Sequence, residues 1–417
     1  MAKITVDGKV FEVDPNNNLL EEVLSHKQDL PYFCWHPSMG SVGSCRQCAM
    51  IEYANDDDQR GRQIMACMTS PREGARYSIE KAAKFRAQAI ESIMTSHPHD
   101  CPVCEEGGEC HLQDMTVMSG HTYRRYDGKK STHTNQNLGP FIGHEMNRCI
   151  TCYRCVRFYR DYAGGTDFGP QASHNHTYFG RFQEGTLESE FSGNLAEVCP
   201  TGVFTDKVFS KQYSRKWDLQ TSPSVCAACG VGCNINPGER YGTLRRVVNR
   251  FNDEVNGYFI CDKGRFGTGY VNSNQRIRVN MSRSSHDGQP SELTPTEAKA
   301  LLRAMKGKAI GIGSPRASVE ANFALRALVG KDNFYAGVSD AEFGLLSQVL
   351  DIYQNRPVHA ASIKDIEKSD AVLVLGEDVT NTAARIALAL RQSVKNIGRE
   401  MAAKLKLPMW HDAAIRT

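Results

Sequence analysis

No stretch of this chain approaches the eighteen consecutive apolar residues that a membrane-crossing helix needs; the longest apolar runs, such as Ala371 to Gly376, are strand-sized. Any membrane association is therefore expected to run through a partner. There is little room at the start for a signal or transit peptide, because a strand pattern (Ile4, Val6, Val10, Phe11, Val13) begins almost at once. That favours a bacterial cytoplasmic protein. No internal repeat is visible, and charge is nearly balanced, with a formal net charge of +3. Cysteine is absent after Cys261, and the cysteine-bearing zones before it have few aliphatic residues with which to build a core. Metal must help to hold such zones folded. The rest of the composition, 40% hydrophobic and 23% charged over 417 residues, is that of a globular chain with room for several domains.

What the sequence does have is fifteen cysteines. Without an export signal they read as reduced thiols serving as metal ligands rather than as disulfides. All fall into four groups. Three groups supply four thiols each, and the fourth supplies three with histidines nearby, so sixteen donors make four tetrads with no cysteine left over. Clusters at all four would bring the net charge to roughly −4, taking a 2+ core for each, so the mildly basic sequence does not indicate nucleic acid.

The first group, Cys34, Cys45, Cys48 and Cys67, is expected to hold a [2Fe-2S] cluster in a loop that Gly40, Gly43 and the small Ser44 let fold tightly. Ten residues separate its first two cysteines, against four in the plant-type pattern. The second comprises Cys101, Cys104 and Cys110, and an imidazole can replace a thiolate at iron. His97 is the expected fourth ligand of this [4Fe-4S] site; His99 lies too near Cys101, and His111 reads as a supporting or surface residue. In the third group, Cys149-Ile-Thr-Cys152-Tyr-Arg-Cys155 wraps one corner of a cubane and a remote Cys199-Pro200 closes it, as in bacterial ferredoxins. Arg148, Arg154 and Arg157 beside it either offset the negative charge of a [4Fe-4S] cluster or form a solvated basic face. The fourth, Cys226-Ala-Ala-Cys229-Gly-Val-Gly-Cys233 with Cys261, reads as another [4Fe-4S] site. Zinc is the competing reading at the first, second and fourth groups, and a [3Fe-4S] core is a further one at the second.

The expected architecture is α+β followed by α/β. A hairpin over 3–13 turning at Asp7 and Gly8, a helix over Leu19 to Gln28 and a cysteine-bearing loop make a β-grasp, ferredoxin-like unit over 1–80. A helix over Ala82 to Ser96 leads into a His/Cys-ligated segment, 81–120. A ferredoxin-like [4Fe-4S] domain is expected over 121–218 and a further [4Fe-4S] domain over 219–275, with a hairpin between Cys233 and Cys261. From 290 to 417, Ala309 to Gly313 and Ala371 to Gly376 read as buried parallel strands, followed by helices over Val319 to Val329 and Thr380 to Lys395. That is the start of an α/β layer, with too few strands for a full doubly wound sheet, as in a truncated chain.

In order, these groups and their connections resemble the large iron-sulfur subunit, known as the G subunit, of bacterial respiratory NADH:quinone oxidoreductase (complex I). The resemblance rests on Pro31-Tyr-Phe-Cys-Trp-His-Pro37, His97-Pro-His-Asp-Cys-Pro-Val-Cys-Glu-Glu-Gly-Gly108, Cys110-His-Leu-Gln-Asp114, Glu145-Met-Asn-Arg-Cys149 and Cys199-Pro-Thr-Gly-Val-Phe-Thr-Asp206. It implies that a partner subunit carrying flavin takes electrons from NADH, that this chain relays them toward quinone, and that it lies peripherally on the cytoplasmic side of the inner membrane. The later segment resembles the start of a molybdopterin-oxidoreductase domain, in which Lys263 would stand beside the fourth cluster. No cysteine remains to ligate molybdenum, and none is expected. The resemblance also implies that the fourth cluster is a branch off the main electron route. The chain itself is not expected to bind NADH, because Gly311-Ile-Gly313 runs into Ser314-Pro-Arg rather than a dinucleotide fingerprint. The alternatives are an iron-sulfur subunit of a soluble, diaphorase-linked NAD-reducing hydrogenase or formate dehydrogenase, and a zinc-stabilised scaffold.

Overall fold

Two successive left-handed residues, Asp7 (φ 45°) and Gly8 (φ 80°), make the tight turn that a type I′ hairpin requires. They join strand β1 (Ala2–Val6) to β2 (Lys9–Val13) in antiparallel register, as expected. In the computed structural model, which describes all residues except Asp56, 284–287, Lys306, 412–414, Arg416 and Thr417, this hairpin is the edge of a five-stranded sheet. Strands β3 (Ala49–Tyr53), β4 (Arg62–Met65) and β5 (Arg76–Ser78) complete it in the order β2-β1-β5-β3-β4, with β1 and β5 parallel. Helix α1 (Leu19–Ser25) starts where the Asn18 side chain accepts the Glu21 N–H, and it buries Leu19, Leu20 and Val23. The result is the anticipated β-grasp unit, with Cys34, Cys45, Cys48 and Cys67 inside its core.

Helix α2 (Ala83–Ile93), shorter at both ends than expected, leads to the His97–Cys110 segment and to α3 (His111–Met118). The third thiol group is framed by two antiparallel pairs, β6 (Ile142–His144) with β9 (Phe204–Asp206) and β7 (Phe168–Gln171) with β8 (Tyr178–Arg181). Its core is aromatic, with Phe158, Phe168, Phe179, Phe191, Phe204 and Phe259 all buried. The expected hairpin before Cys261 is β12 (Asn234–Arg240) and β13 (Thr243–Asn249), bulged at Gly238 and Glu239; short strands β10 (Gln220–Thr221) and β11 (Ser224–Val225) flank β12.

The later part of the chain departs from expectation. Contacts divide the structure into one unit of Met1–Thr268 with Ile363–Thr417, and a second of Gly269–Ser362. An α/β layer running from 290 to 417 therefore does not stand as one body. The segment over Thr380 to Lys395 is two helices, Val379–Thr382 and Ala384–Ser393, broken at the non-helical Ala383 (φ −147°, ψ 60°). The second of them buries Ala384 and Leu388 in the aromatic core of the first unit, and Gln392 Nε2 donates to the Tyr162 carbonyl at 2.8 Å. Ala371 to Gly376 forms no strand; Leu373 and Leu375 are 80% and 79% exposed. A buried parallel strand needs neighbours for its backbone hydrogen bonds, and none lies beside it among the described residues. In the second unit, the strand expected over Ala309 to Gly313 is reduced to Gly311–Ile312, parallel to Phe334–Tyr335. The helix Val319–Val329 is present, and helices Pro295–Ala304 and Asp340–Asn355 accompany it.

His144 shows how tightly the aromatic core is closed. It stacks on Phe204 (5.2 Å, 7°), its Nδ1 accepts the Gln136 N–H, and burial lowers its pKa to about 4. A histidine with a folded pKa near 4 and an unfolded one near 6.5 binds fewer protons when folded, so its contribution is complete above about pH 6.5 and is lost as pH falls toward 4. The urea midpoint of the protein should therefore fall over that interval, and His144→Gln should make the fall shallower. A slope identical in the two proteins would show that His144 is not buried in its neutral form.

Candidate iron-sulfur sites

Each predicted tetrad converges in space. In the first, the Sγ atoms of Cys34 and Cys45 lie 3.5 Å apart, and Cys67 N–H faces Cys48 Sγ at 3.4 Å. A residue that the spacing gave no reason to select joins them: Ser41 Oγ donates to Cys67 Sγ at 3.0 Å and lies 3.4 Å from Cys34 Sγ. The Cys45 and Cys67 thiols hydrogen-bond toward Cys34 and hold its pKa down, whereas theirs are pushed up. Arg46, inside the Cys45–Cys48 turn, is left-handed (φ 56°), a strained conformation of the kind that collects at functional sites.

In the second, His97, Cys101, Cys104 and Cys110 line a cavity of about 300 Å³ with Arg148 and Gly202. His97 Nδ1 lies 3.1 Å from the Arg148 carbonyl oxygen. A carbonyl only accepts, so Nδ1 carries the proton and the Nε2 lone pair is left for a metal. Burial lowers the His97 pKa to about 4, which keeps the ring neutral. His99 is exposed, whereas His111 is packed inward with its Nε2 2.7 Å from the Tyr32 carbonyl, a supporting contact rather than a surface position. Burial pushes the Cys110 thiol up to about 11.

In the third, Cys149, Cys152, Cys155 and Cys199 close around a pocket whose other walls include Phe179, Val203 and Phe204. Thr151 (φ 55°) and Tyr153 (φ 63°) are both left-handed, which turns the backbone around Cys152. Thr151 N–H faces Cys149 Sγ at 3.3 Å, and Thr201 Oγ1 lies 3.6 Å from Cys199 Sγ. Burial raises the Cys149, Cys155 and Cys199 thiols and takes Cys152 to about 12.

The fourth group, Cys226, Cys229, Cys233 and Cys261, lines a cavity of about 210 Å³ together with Lys263 and, unforeseen from the spacing, Thr380, Asn381, Thr382, Ala384 and Arg385. Burial pushes Cys233 up to about 12.

The solvated basic face considered for Arg148, Arg154 and Arg157 does not exist, because all three are buried. Arg148 binds both oxygens of Asp100 (2.5 and 3.0 Å) and the Glu145 carboxylate. Arg157 Nη1 donates to the carbonyls of Cys34 (3.2 Å) and Gly40 (3.1 Å), tying the first thiol loop to the segment that carries the third. Ser44 Oγ reaches the Cys152 carbonyl at 3.5 Å, and a Cβ on Gly202 would stand 2.7 Å from Cys104 Sγ. The third group therefore adjoins both the first and the second.

These features fit iron-sulfur cores. A thiol held near 11 or 12 ionises at neutral pH only when a metal takes the proton's place. Cavities with room for a multi-iron core are present at the second and fourth groups.

Family models cover each of the four thiol-bearing segments. Family models match a 2Fe-2S iron-sulfur cluster binding domain over 1–81, an NADH-ubiquinone oxidoreductase-G iron-sulfur binding region over 86–125, the ferredoxin-like domain of NADH-quinone oxidoreductase subunit 3 over 139–205, and a molybdopterin oxidoreductase Fe4S4 domain over 219–273. A chain with these four domains in series is a multicluster iron-sulfur protein. Along its full length it is 59% identical to the G subunit of NADH-quinone oxidoreductase from Shewanella oneidensis and 58% identical to those of Escherichia coli and Pseudomonas fluorescens, covering 46% of each. The chain belongs to the family of NADH-quinone oxidoreductase G subunits, and it spans about half the length of these relatives. Among solved structures, an NAD+-reducing [NiFe]-hydrogenase in its H2-reduced state is similar at 25% identity and a TM-score of 0.45, over 49% of this chain and 87% of that one.

Gly202→Ala should drive its new methyl into Cys104 Sγ and Arg148. The expected outcome is a loss of about four irons per chain, from the second group alone, read by iron analysis. Unchanged iron content would show that Cys104 is not held at that place.

Proposed function

We propose that this chain is an electron-transfer subunit of NADH:quinone oxidoreductase, with one [2Fe-2S] cluster on Cys34, Cys45, Cys48 and Cys67 and three [4Fe-4S] clusters. The cubane ligands are His97, Cys101, Cys104 and Cys110; Cys149, Cys152, Cys155 and Cys199; and Cys226, Cys229, Cys233 and Cys261. Bound there, the clusters would supply reversible one-electron transfer. A flavin- and NADH-binding subunit donates the electrons, and other subunits of the peripheral arm pass them on to quinone, coupled in the whole complex to proton translocation. The complex lies on the cytoplasmic side of a bacterial inner membrane; among the described residues no helix is long and apolar enough to cross it.

The observation that carries this reading is the contact of the third thiol group with both the first and the second, the arrangement a relay requires. The chain's own residues do the rest. Their thiolates and one neutral imidazole set the ligand charge at each site. Ser41 and Thr201 hydroxyls stand against Cys67 and Cys199 Sγ, where a donated hydrogen bond favours the reduced state. Phe179, Val203 and Phe204 keep water from the third site. The identity to the G subunits along the whole chain favours this reading over a soluble hydrogenase or formate dehydrogenase subunit.

Anaerobic iron and acid-labile sulfide analysis, with EPR of the dithionite-reduced protein, tests it. About fourteen irons per chain are expected; zinc without sulfide would overturn the redox assignment, and about ten irons would remove one tetrad. In the assembled complex, Cys152→Ala or Cys155→Ala should interrupt NADH-to-quinone electron flow, while Cys229→Ala should spare much of it. Equal loss from both would place the fourth site on the main route.

A further inference from the structure

Arg157 opens the π-helical segment Arg157–Tyr162, two residues after Cys155, and is 2% exposed. Its side chain crosses to the first thiol loop, where Nη1 donates to the Cys34 carbonyl at 3.2 Å and to the Gly40 carbonyl at 3.1 Å. The segment between these two carbonyls has no helix or strand beyond a single pairing of His36 with Gly40. Within it, the His36 N–H donates to the Gly40 carbonyl at 3.0 Å and the Gly40 N–H donates to the His36 carbonyl at 2.8 Å. Gly40 is left-handed (φ 63°), so the chain turns sharply as it enters Ser41. One buried guanidinium therefore holds both ends of a tight loop through charge-assisted hydrogen bonds.

Ser41, which follows that loop, is 1% exposed. Its Oγ accepts the Gly43 N–H at 3.1 Å, donates to Cys67 Sγ at 3.0 Å and lies 3.4 Å from Cys34 Sγ. A hydroxyl carries a single proton. With the Gly43 N–H on the oxygen, that proton is turned toward sulfur, and the bond it makes weakens steeply as its geometry opens. The place of the Ser41 hydroxyl is set by the Gly40 backbone to which it is joined, and the Gly40 carbonyl is held by Arg157.

We propose that Arg157 is a positioning residue for the first cluster: by fixing the Cys34 and Gly40 carbonyls it holds the Ser41 hydroxyl on sulfur, so that the segment bearing the third thiol group sets the reduction potential at the first. This rests on the cluster assignment made above. An electron added to a [2Fe-2S] core puts more negative charge on its sulfur ligands, and a hydrogen bond donated to them strengthens on reduction and raises the potential. The first site then reaches its working potential only when its neighbour's segment is packed against it. Two sites adjacent in the relay are matched by one side chain that belongs to the other site's loop.

The test is an EPR-monitored potentiometric titration of the assembled complex carrying the wild-type chain, Ser41→Ala, Arg157→Met or both substitutions. Ser41→Ala and Arg157→Met should each lower the midpoint potential of the [2Fe-2S] cluster. Added to Ser41→Ala, Arg157→Met should lower it by less than about half of what it does alone, because residues that act through one another are not additive. An unmoved potential in either single variant overturns the proposal. So does a further fall of about half or more in the double variant, since the guanidinium would then act by its charge rather than through Ser41. If Arg157→Met retains no [2Fe-2S] cluster, Arg157→Lys decides by the same comparison, because it keeps the charge on a shorter stem without the planar fork. A fall that mostly disappears in the Ser41→Ala background supports positioning; an unmoved potential, a fall of like size in both backgrounds, or loss of the cluster from this variant as well overturns it. Absence of the [2Fe-2S] signal from the wild type is a different result, which would remove the cluster assignment itself.

Discussion

Sulfur buried away from water keeps its proton, and this chain buries most of its fifteen cysteines. Thiols pushed to about 11 or 12 at Cys110, Cys152 and Cys233 become thiolates only in the presence of a positive partner at bonding distance. The protein environment is arranged for that exchange. Backbone N–H groups and the Ser41 and Thr201 hydroxyls point at sulfur, and arginines are buried beside the thiol loops. The zones around the second and fourth groups have little aliphatic core of their own, so metal binding and folding are expected to be one event there.

The β-grasp sheet and the aromatic core are the rigid parts on which this is built. They allow short loops to take costly conformations, with left-handed Arg46, Thr151 and Tyr153 each beside a cysteine of a candidate site. An isolated peptide would not hold such angles; packing on both sides over-determines them. The same packing brings the third thiol group against its neighbours. Its place as the middle of the chain of sites follows from loop contacts at Ser44 and Gly202, not from the order of the cysteines along the sequence.

Much of the candidate site was legible in the sequence, because ligand spacing is a local property. Cys149, Cys152 and Cys155 can wrap a core wherever the fold places them, and Asp7 with Gly8 can make a hairpin without help from distant residues. The choice of His97 over His99 was also a local argument about reach, and the structure places His97 in the cavity and His99 in solvent. Periodicity misled where an apolar run needs a partner to become a strand: Ala371 to Gly376 has the composition of a buried strand but pairs with no other strand among the described residues. It also gave no sign that the helix Ala384–Ser393 buries Ala384 and Leu388 in the aromatic core of the first unit.

The sequence by itself determined the thiol inventory, its partition into four tetrads, the hairpin and helices that lead into the first two, and through these the family. Those features depend on residues near one another in the chain, where spacing and propensity act directly. Only the tertiary structure decided which tetrads touch, that Arg148, Arg154 and Arg157 are interior rather than solvated, that Ser41 joins the first site, and that residues after 362 return to the first unit. Each of these is a contact between segments far apart in sequence, and the burial that gives a charge or a hydroxyl its effect on sulfur exists only after the chain has closed around it.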